Sequence, residues 1–521
     1  MKNSRCVLLF LLFFVGCGGG KSLRESAEVI TSEGLTPYMM YLASDSMKGR
    51  NTPSPELDSA ASYIARVFAR SGLKPLGGSY LQQFNLSRVS LGEPNSLSLV
   101  RDGKETSFLI KEDFTPFEMT ANRAASGPLV FAGYGITAPE FKYDDYAGLE
   151  VKGKVVLVLR HEPGEEDSTS AFFGKDATEY SGVGRKAEIA REHGAVALLV
   201  MTDPLNHTSL APRGFPWPSL LRTIPKDALP LTLGGDEESK IPVVHVGKAF
   251  IEAVFGSVDA LKGTQEAIDR EMKPRSSTLG GMEVKVQTST VVVSTPTANV
   301  VGFLEGIDPV LKNELVVVGA HYDHVGFKKQ HAEGEDYIYN GADDNASGTV
   351  ALLGVASGLG ALPERPRRSI LLIAFAGEEK GLLGSEYYVR KPLFPLESTV
   401  AMLDIDMVGR NRRDSLSLIA TESSPDLGRA AHEMNALVGF KLGDDLLTSG
   451  GSDHMTFQKR NIPAIFFHSG LHKDLHKVSD NPDKIDMIKL ANASRLVFLT
   501  AVRLANDSKR YQYTPKPIKL F

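Results

Sequence analysis

Cysteine is nearly absent from this 521-residue chain, which contains only Cys6 and Cys17. Both lie in the N-terminal segment, so the rest of the chain has no thiol for a disulfide bond or for a cysteine-ligated metal. A metal ion held by that part of the chain must therefore be bound by His, Asp and Glu side chains.

The sequence also lacks a strong excess of one charge. Its formal net charge is −5, which provides no broad basic surface and argues against nucleic acid as a partner. Hydrophobic residues make up 42% and charged residues 23% of the chain, values typical of a globular protein. A length of 521 residues exceeds one ordinary core, so we expect two domains or one domain with an insertion.

The apolar run near the N-terminus is too short to span a bilayer comfortably. With its basic start and small residues, MKNSRCVLLFLLFFVGCGGGKS has the pattern of an export signal. Its end, FVGC, resembles a bacterial lipoprotein signal, although Phe14 stands where leucine is usual. The resemblance implies a signal peptide over residues 1–16 and a lipid on Cys17 that anchors an exported protein to the bacterial cell envelope, at the outer membrane or facing the periplasm. Plain secretion is the alternative.

Short β-rich runs begin near residue 125 and alternate with one helical pattern. The order GKVVLVLR, then KAEIAREHGAVALLV, resembles a protease-associated domain, a β-rich module inserted in several exopeptidase families. We expect this insertion over residues 121–270, and since it carries no clustered ligands in the sequence, we interpret it as a lid or substrate-selecting wall. The N-terminal part of the peptidase domain is expected over 17–120, the catalytic domain over 285–510, and a C-terminal tail over 511–521.

Apolar strands alternate with helices in the second half of the chain, which predicts an α/β sheet covered on both faces. In such sheets the active site lies beyond the carboxyl ends of the strands. The run LLIAFAGEEKGLLGS places Glu378 and Glu379 at such an end. Adjacent residues of an extended segment point to opposite sides, so one glutamate is expected to bind metal and the other to act as general base. The residues alone leave open which does which.

Metal-capable side chains recur at five successive places in this half. They are His321 and Asp323; Asp343 and Asp344; Glu378 and Glu379; Asp404 and Asp406; and His468, His472, Asp474 and His476. Two histidines with three or four carboxylates suit two divalent cations, such as zinc, that share one carboxylate. Two such metals can activate a water and polarise a carbonyl.

Five motifs carry a closer resemblance: GAHYDHVG, GADDNASG, AGEEKGLLGS, DIDMVG and LHKVSDNPDKID. In this order and spacing they resemble the zinc aminopeptidases of peptidase family M28, specifically bacterial members with a protease-associated insertion. The resemblance implies the zinc exopeptidase fold, a mixed β-sheet flanked by helices. It also implies two zinc ions per chain, one held by His321 and Asp406 and the other by Glu379 and His476, with Asp344 bridging them.

The same resemblance assigns further roles. Glu378 would be the general base, and Asp323 would orient the imidazole of His321. Asp453, His472 and His468 are candidate residues of the substrate pocket. Several members of the family use a tyrosine near the last ligand to stabilise the oxyanion, whereas this chain reads FFHSGLHKDLH. The oxyanion donor is therefore left open between His468 and the metals alone.

The function expected from these features is that of an exported metallo-aminopeptidase acting on peptides. Other activities known on this fold are the alternatives, namely carboxypeptidase or glutaminyl cyclase, because fold does not fix function. A non-catalytic surface receptor is a third reading, disfavoured by the intact ligand set. The sequence does not specify the oligomeric state.

Overall fold

A computed structural model describes residues 22–175, 177–212, 231–233, 240–443 and 451–514. The helices are Leu23–Glu28 (α1), Ser32–Leu42 (α2), Pro55–Arg70 (α3), Val183–Glu192 (α4), Lys248–Phe255 (α5), Val258–Glu271 (α6), Gly348–Gly360 (α7), Leu383–Arg390 (α8), Pro425–Asn435 (α9), His454–Gln458 (α10) and Met487–Asn506 (α11). In the described ranges, none of them is long and apolar enough to cross a membrane. The predicted signal segment and Cys17 lie outside the described residues.

The strands of the same ranges form two large sheets and one small hairpin. They are Leu81–Leu91 (β1), Ser96–Arg101 (β2), Lys104–Phe108 (β3), Phe114–Pro116 (β4), Ala124–Phe131 (β5), Thr137–Ala138 (β6), Tyr143–Asp144 (β7), Val155–Leu159 (β8), Ala197–Met201 (β9), Thr232–Leu233 (β10), Val243–Val246 (β11), Ser277–Gln287 (β12), Thr290–Leu304 (β13), Leu315–His321 (β14), Ser369–Phe375 (β15), Thr399–Ile405 (β16), Ser415–Ile419 (β17), Lys441–Gly443 (β18) and Ala464–His468 (β19).

The first sheet has the order β10-β1-β13-β15-β14-β16-β19-β17-β18 over the described residues. Its centre, β15-β14-β16-β19, is parallel, and antiparallel pairs flank it on both sides. Every residue of the four central strands is buried, as expected for parallel strands covered on both faces. The predicted mixed sheet flanked by helices is confirmed.

Small residues allow α7 to pack closely against α11 on one face of this sheet. A Cβ on Gly354 would lie 2.3 Å from the hydroxyl oxygen of Ser494, a distance that no side chain tolerates. That hydroxyl donates to the carbonyl of Ala351 at 2.7 Å, which fixes the two helices together. Most residues of α7 are therefore buried, and the helix begins just after the loop that carries Asp344.

The second sheet has the order β3-β2-β12-β5-β8-β9-β11-β4, with β5, β8, β9 and β11 parallel. It forms a separate core with α5 and α6. The sheet extends beyond the predicted range 121–270, because β2, β3 and β4 precede that range and β12 follows it. Such pairing joins residues far apart in the chain, as in Val284 of β12 opposite Leu99 of β2, and local sequence patterns do not specify it.

Arg50 ties the opening of the chain to the loops that follow β14. Its guanidinium is buried and donates to the carbonyl oxygens of Tyr322 at 2.9 Å, Asn340 at 2.9 Å and Gly341 at 3.0 Å, and also to that of Leu42. Tyr322 follows His321, and Gly341 begins the loop that carries Asp344. Arg50 thus holds two ligand-bearing segments at a fixed separation.

The residue before Arg50 has to be a glycine. Gly49 has φ +67°, and a Cβ there would lie 2.2 Å from the carbonyl oxygen of Gly326 and 2.4 Å from that of Tyr339. Only glycine permits this close backbone approach. The contact brings the opening segment against the loop after β14.

We expect Arg50→Met to lower the free energy of unfolding by about 3 kcal/mol or more, because it leaves several buried carbonyls without a donor. Urea unfolding, followed by far-UV circular dichroism, measures this change. Arg24→Met is the matched control: Arg24 is exposed, 3.3 Å from Glu28, and its loss should change stability by no more than about 0.5 kcal/mol. Equal stability of the two variants would contradict the role assigned to Arg50.

Candidate metal centre

The candidate centre lies at the carboxyl ends of the parallel strands of the first sheet. His321 is the last residue of β14, Asp406 directly follows β16, and Glu378 and Glu379 follow β15. The loop that carries Asp344 lies between β14 and α7. Parallel strands end at the same edge of a sheet, so these side chains converge although they are distant in sequence.

One group of possible metal ligands consists of His321, Asp344 and Asp406, all buried. His321 Nε2 lies 3.4 Å from Asp344 Oδ1 and 3.5 Å from Asp406 Oδ2. These distances exceed the usual length of a hydrogen bond. They are close to the spacing of about 3.3 Å that two ligand atoms have around a tetrahedral zinc ion.

A second group consists of His324, Asp344, Glu379 and His476. His476 Nε2 lies 2.9 Å from Asp344 Oδ2 and 3.2 Å from Glu379 Oε2. His324 Nδ1 lies 2.8 Å from Glu379 Oε1. Asp344 belongs to both groups, with Oδ1 directed to the first and Oδ2 to the second, which is the arrangement of a bridging carboxylate.

The donor set fits a metal ion better than it fits the bare protein. Within the described residues, neither ring nitrogen of His321 has a hydrogen-bond partner, and Nε2 of His324 and Oδ1 of Asp406 are also buried without one. Buried polar atoms are normally satisfied, so unpaired atoms clustered around carboxylates call for a cation. Burial, reinforced by the neighbouring Glu379, raises the pKa of Asp344, which shows how unfavourable its charge is without a cation.

The two adjacent glutamates have different surroundings. Burial opposes ionisation of Glu379, but hydrogen bonds from His324 and His476 hold its pKa well below the usual range. Burial raises the pKa of Glu378 well above its usual value, the charges of Asp406 and Asp453 act in the same direction, and His321 opposes them. Glu379 thus lies against two histidines of the second group, whereas Glu378 Oε2 lies 3.9 Å from His321 Nε2.

Asp323 lies between the first group and the glutamate loop. Its Oδ1 is 3.6 Å from His321 Nδ1 and accepts from the backbone N–H of Glu378 at 3.2 Å. Its Oδ2 accepts from the Thr52 hydroxyl at 2.8 Å. The carboxylate therefore positions the turn at Glu378 as well as lying beside the imidazole that it is predicted to orient.

The three pocket candidates have separate environments. Asp453 is fully buried, and its charge helps to raise the pKa of Glu378. His468 is buried and its Nδ1 lies 2.9 Å from the carbonyl oxygen of Asp406. His472 contacts Asp343, with Nε2 3.2 Å from Oδ2, and belongs to neither ligand group.

The two aspartates most easily confused with ligands are engaged elsewhere. Asp343 Oδ1 accepts from the backbone N–H of Gly409 at 2.7 Å, and Asp404 Oδ2 accepts from the backbone N–H of His454 at 2.8 Å. Neither belongs to a ligand group, although each precedes a member by one or two residues.

Sequence reasoning missed His324, which joins the second group. The signal was available in GAHYDHVG, where a second histidine follows His321 by three residues. Its contact partner, Glu379, lies on the loop after the neighbouring strand β15, and only the sheet register brings the two together.

A further group of possible ligands lies in the second sheet: His161, Glu165, Asp203 and His207. The expectation that the insertion carries no clustered ligands is therefore wrong. His161 and Glu165 follow β8, whereas Asp203 and His207 follow β9. Because the two pairs are far apart in sequence, the cluster is not visible in the sequence.

Comparison with known proteins agrees with this organisation. Residues 299–501 match the model of peptidase family M28, and residues 125–254 match that of the PA domain. The chain therefore combines a region similar to M28 peptidases with a region similar to PA domains, which confirms the resemblance to family M28 inferred from the five motifs.

Individual relatives are distant. The chain is 26% identical to aminopeptidase YwaD of Bacillus subtilis over 76% of this chain and 72% of that protein. It is 27% identical to mouse aminopeptidase NAALADL1 over 67% of this chain and 47% of the mouse protein, so it spans about half the length of that relative. An aminopeptidase structure from Aneurinibacillus sp. strain AM-1 aligns over 95% of this chain and 98% of its own, with 22% identity and a TM-score of 0.45.

We expect Asp344→Ala to lower the zinc bound by the purified protein by about two equivalents, because one carboxylate serves both ligand groups. Zinc is measured by mass spectrometry of the metal after dialysis against buffered free zinc. Asp336→Ala, which removes an exposed aspartate on the same connection, should bind as much zinc as the unmodified chain. Loss of only one equivalent in Asp344→Ala would contradict the shared ligand.

Proposed function

We propose that this chain is a metallo-aminopeptidase that releases N-terminal residues from peptides. The observation that carries the proposal is the pair of ligand groups that share Asp344, with Glu378 beside them. The M28 match and relatives named as aminopeptidases support the same reaction class. The chain spans only about half the length of some of these relatives.

Zinc is the cation that suits these donors. Imidazole nitrogen combined with carboxylate oxygen favours zinc, whereas calcium and magnesium prefer oxygen ligands alone. We propose two zinc ions, one held by His321, Asp344 and Asp406 and the other by Asp344, Glu379 and His476. Bound zinc would supply Lewis acidity that polarises the scissile carbonyl and makes water more acidic.

Glu378 is proposed to act as the general base. Its side chain lies beside the first group without joining either group, so its carboxylate is free to exchange a proton with a water held there. It would take a proton from the attacking water and deliver it to the leaving amine. Asp323 would hold the Glu378 turn in place through its bond from the backbone N–H.

His324 is proposed to keep Glu379 ionised and oriented. His324 Nδ1 contacts Glu379 Oε1 at 2.8 Å. The other oxygen, Glu379 Oε2, then remains directed at His476. A partner that orients a ligand in this way commonly changes metal affinity by 10- to 100-fold when it is removed.

His468 remains one of two candidates to stabilise the oxyanion, the other being the metals themselves. The contact of its Nδ1 with a carbonyl oxygen requires Nδ1 to carry hydrogen, which leaves Nε2 as an acceptor in the neutral ring. His468 would therefore donate to an oxyanion only as an imidazolium.

Export and attachment to the cell envelope through a lipid on Cys17 belong to the proposal as its cellular setting. They rest on the pattern of the N-terminal sequence alone. An enzyme held there would act on peptides outside the cytoplasm.

The test is hydrolysis of a panel of aminoacyl-p-nitroanilides by the purified chain, each assayed with a free and with an acetylated N-terminus. We expect cleavage of the free substrates only, loss of cleavage on chelation, and recovery when zinc is returned. If the panel is not cleaved, release of C-terminal residues from acetylated peptides or cyclisation of N-terminal glutamine, each measured in a separate assay, would replace the aminopeptidase function with one of the other activities of this fold. Zinc binding without any of these reactions would support a receptor.

We expect Glu378→Gln to reduce kcat on the best substrate by about 10²- to 10⁴-fold, since general-base catalysis contributes that much. Its zinc content should equal that of the unmodified chain, because Glu378 is not a member of either ligand group. Glu364→Gln, at an exposed glutamate, is the control and should keep full activity. Full activity of Glu378→Gln would remove Glu378 from the mechanism.

A further inference from the structure

The PA domain contains a compact group of histidines and carboxylates that the peptidase reaction does not use. His161 and Glu165 follow β8, and Asp203 and His207 follow β9. The two strands are parallel neighbours, with Leu159 opposite Met201. Both loops therefore leave the same edge of the second sheet, where parallel sheets usually hold their ligands.

The four side chains meet at their ligand atoms. Glu165 Oε2 lies 3.6 Å from His161 Nδ1 and 3.0 Å from His207 Nε2. Asp203 Oδ2 lies 3.7 Å from His207 Nε2 and also contacts His161 Nδ1. Each nitrogen thus contacts both carboxylates, and each carboxylate contacts both nitrogens.

The separations of 3.0, 3.6 and 3.7 Å resemble those around a tetrahedral zinc ion, in which ligand atoms about 2.0–2.1 Å from the metal lie about 3.3 Å from one another. In the peptidase centre the corresponding nitrogen-to-oxygen distances are 2.9–3.5 Å. Three of the four contacts in the PA domain, at 3.0–3.7 Å, thus fall near this range, whereas His161 Nδ1 and Asp203 Oδ2 are closer together.

Asp203 is built into the sheet edge. Its side chain is only 1% exposed, and its Oδ1 accepts from the backbone N–H groups of Arg160 at 2.8 Å and His161 at 3.2 Å. That leaves Oδ2 directed at the two histidines. The backbone N–H of His207 donates to the carbonyl of Asp203 at 3.2 Å. This turn of the chain brings the His207 imidazole close to the Asp203 carboxylate.

The remaining ligands are ordered but reachable from solvent. The side chains of His161, Glu165 and His207 are 22%, 23% and 35% exposed, which provides a route for an ion to enter. Asn206 donates to Glu165 Oε2 at 3.2 Å and helps to hold that carboxylate in place. The two imidazole rings stack with their centroids 4.4 Å apart.

We propose that His161, Glu165, Asp203 and His207 bind a third divalent cation, zinc, through two nitrogen and two oxygen atoms. The cation clamps the loop after β8 to the loop after β9. Two imidazoles select zinc over calcium and magnesium. This site does not depend on the proposed peptidase activity.

The competing account is a metal-free cluster of charged histidines and carboxylates. Lys186 supplies a positive charge beside such a cluster. Its buried ammonium group donates to the carbonyl of His161 at 2.7 Å and interacts with the charge of Asp203. One lysine and protonated imidazoles would then balance the two carboxylates without an ion. The two accounts differ in metal content, which is measurable.

The experiment uses the full chain with Asp344→Ala, so that the peptidase centre contributes little metal. In this background we expect about one zinc equivalent to remain, and we expect His207→Gln to remove it. Cobalt added to the zinc-free protein should give the visible absorption of tetrahedral cobalt, and His207→Gln should abolish that absorption. The readouts do not involve turnover.

His193→Gln is the matched control. His193 belongs to the same domain, where it stacks on Tyr146 outside the group, and its replacement should leave the zinc equivalent and the cobalt spectrum unchanged. Circular dichroism of each variant checks that it is folded. His161→Gln provides a second variant at the other imidazole, with the same expected loss.

Equal zinc content and equal cobalt spectra in the Asp344→Ala chain with and without His207→Gln would overturn the proposal in favour of the metal-free cluster. Failure of the proposed function gives a different pattern: the unmodified chain would fail to hydrolyse peptides while the zinc that depends on His207 is still bound. The two failures are therefore distinguishable.

Discussion

The peptidase half of the chain depends on concentrating buried carboxylates at one edge of a sheet. Asp344, Asp406, Glu378 and Glu379 lie in a region from which water is largely excluded, where their mutual repulsion is weakly screened. The imidazoles of His321 and His324 lie among the carboxylates, and buried nitrogen atoms of both rings have no hydrogen-bond partner within the described residues. Such an arrangement favours the binding of cations, and the surrounding fold holds it in place.

The supports come from segments remote in sequence. Asp480 accepts from the backbone N–H groups of Asp343 at 2.9 Å and Asp344 at 3.2 Å, so the C-terminal loop fixes the shared ligand. Arg50 holds the same loop from the opposite end of the chain. The centre is thus preorganised by hydrogen bonds to backbone groups, which limit the movement of the ligands when charge is added or removed.

The sequence allowed the centre to be predicted because its ligands follow apolar strands whose parallel arrangement was recognisable. His321, Asp404 and Asp406 were singled out in this way, since a polar residue at the end of a buried strand is conspicuous, and the choice of Asp406 over Asp404 came from the resemblance to family M28. His324 was missed because its importance depends on a contact with Glu379 across a strand pair. The group in the PA domain was missed for a related reason: His161 and His207 belong to loops whose proximity follows from the pairing of β8 with β9. The pairing of β2 with β12 could likewise not be predicted from local sequence patterns, because the partner of a strand depends on the whole fold.

The two peptidase ligand groups differ in their access to solvent. His321 is 1% exposed, whereas His476 is 52% exposed and has a backbone φ of +53°. A left-handed conformation at a histidine is unfavourable and is retained only where surrounding contacts enforce it. Here it places the imidazole against Asp344 and Glu379 while its other edge remains open. The open side of the centre is therefore the side of His476, and the closed side, beneath His321 and Asp406, is covered by the sheet. The loop after β19, which carries His476, is therefore the ligand-bearing segment most accessible from solvent among the described residues, and we expect it to influence which substrates reach the shared carboxylate.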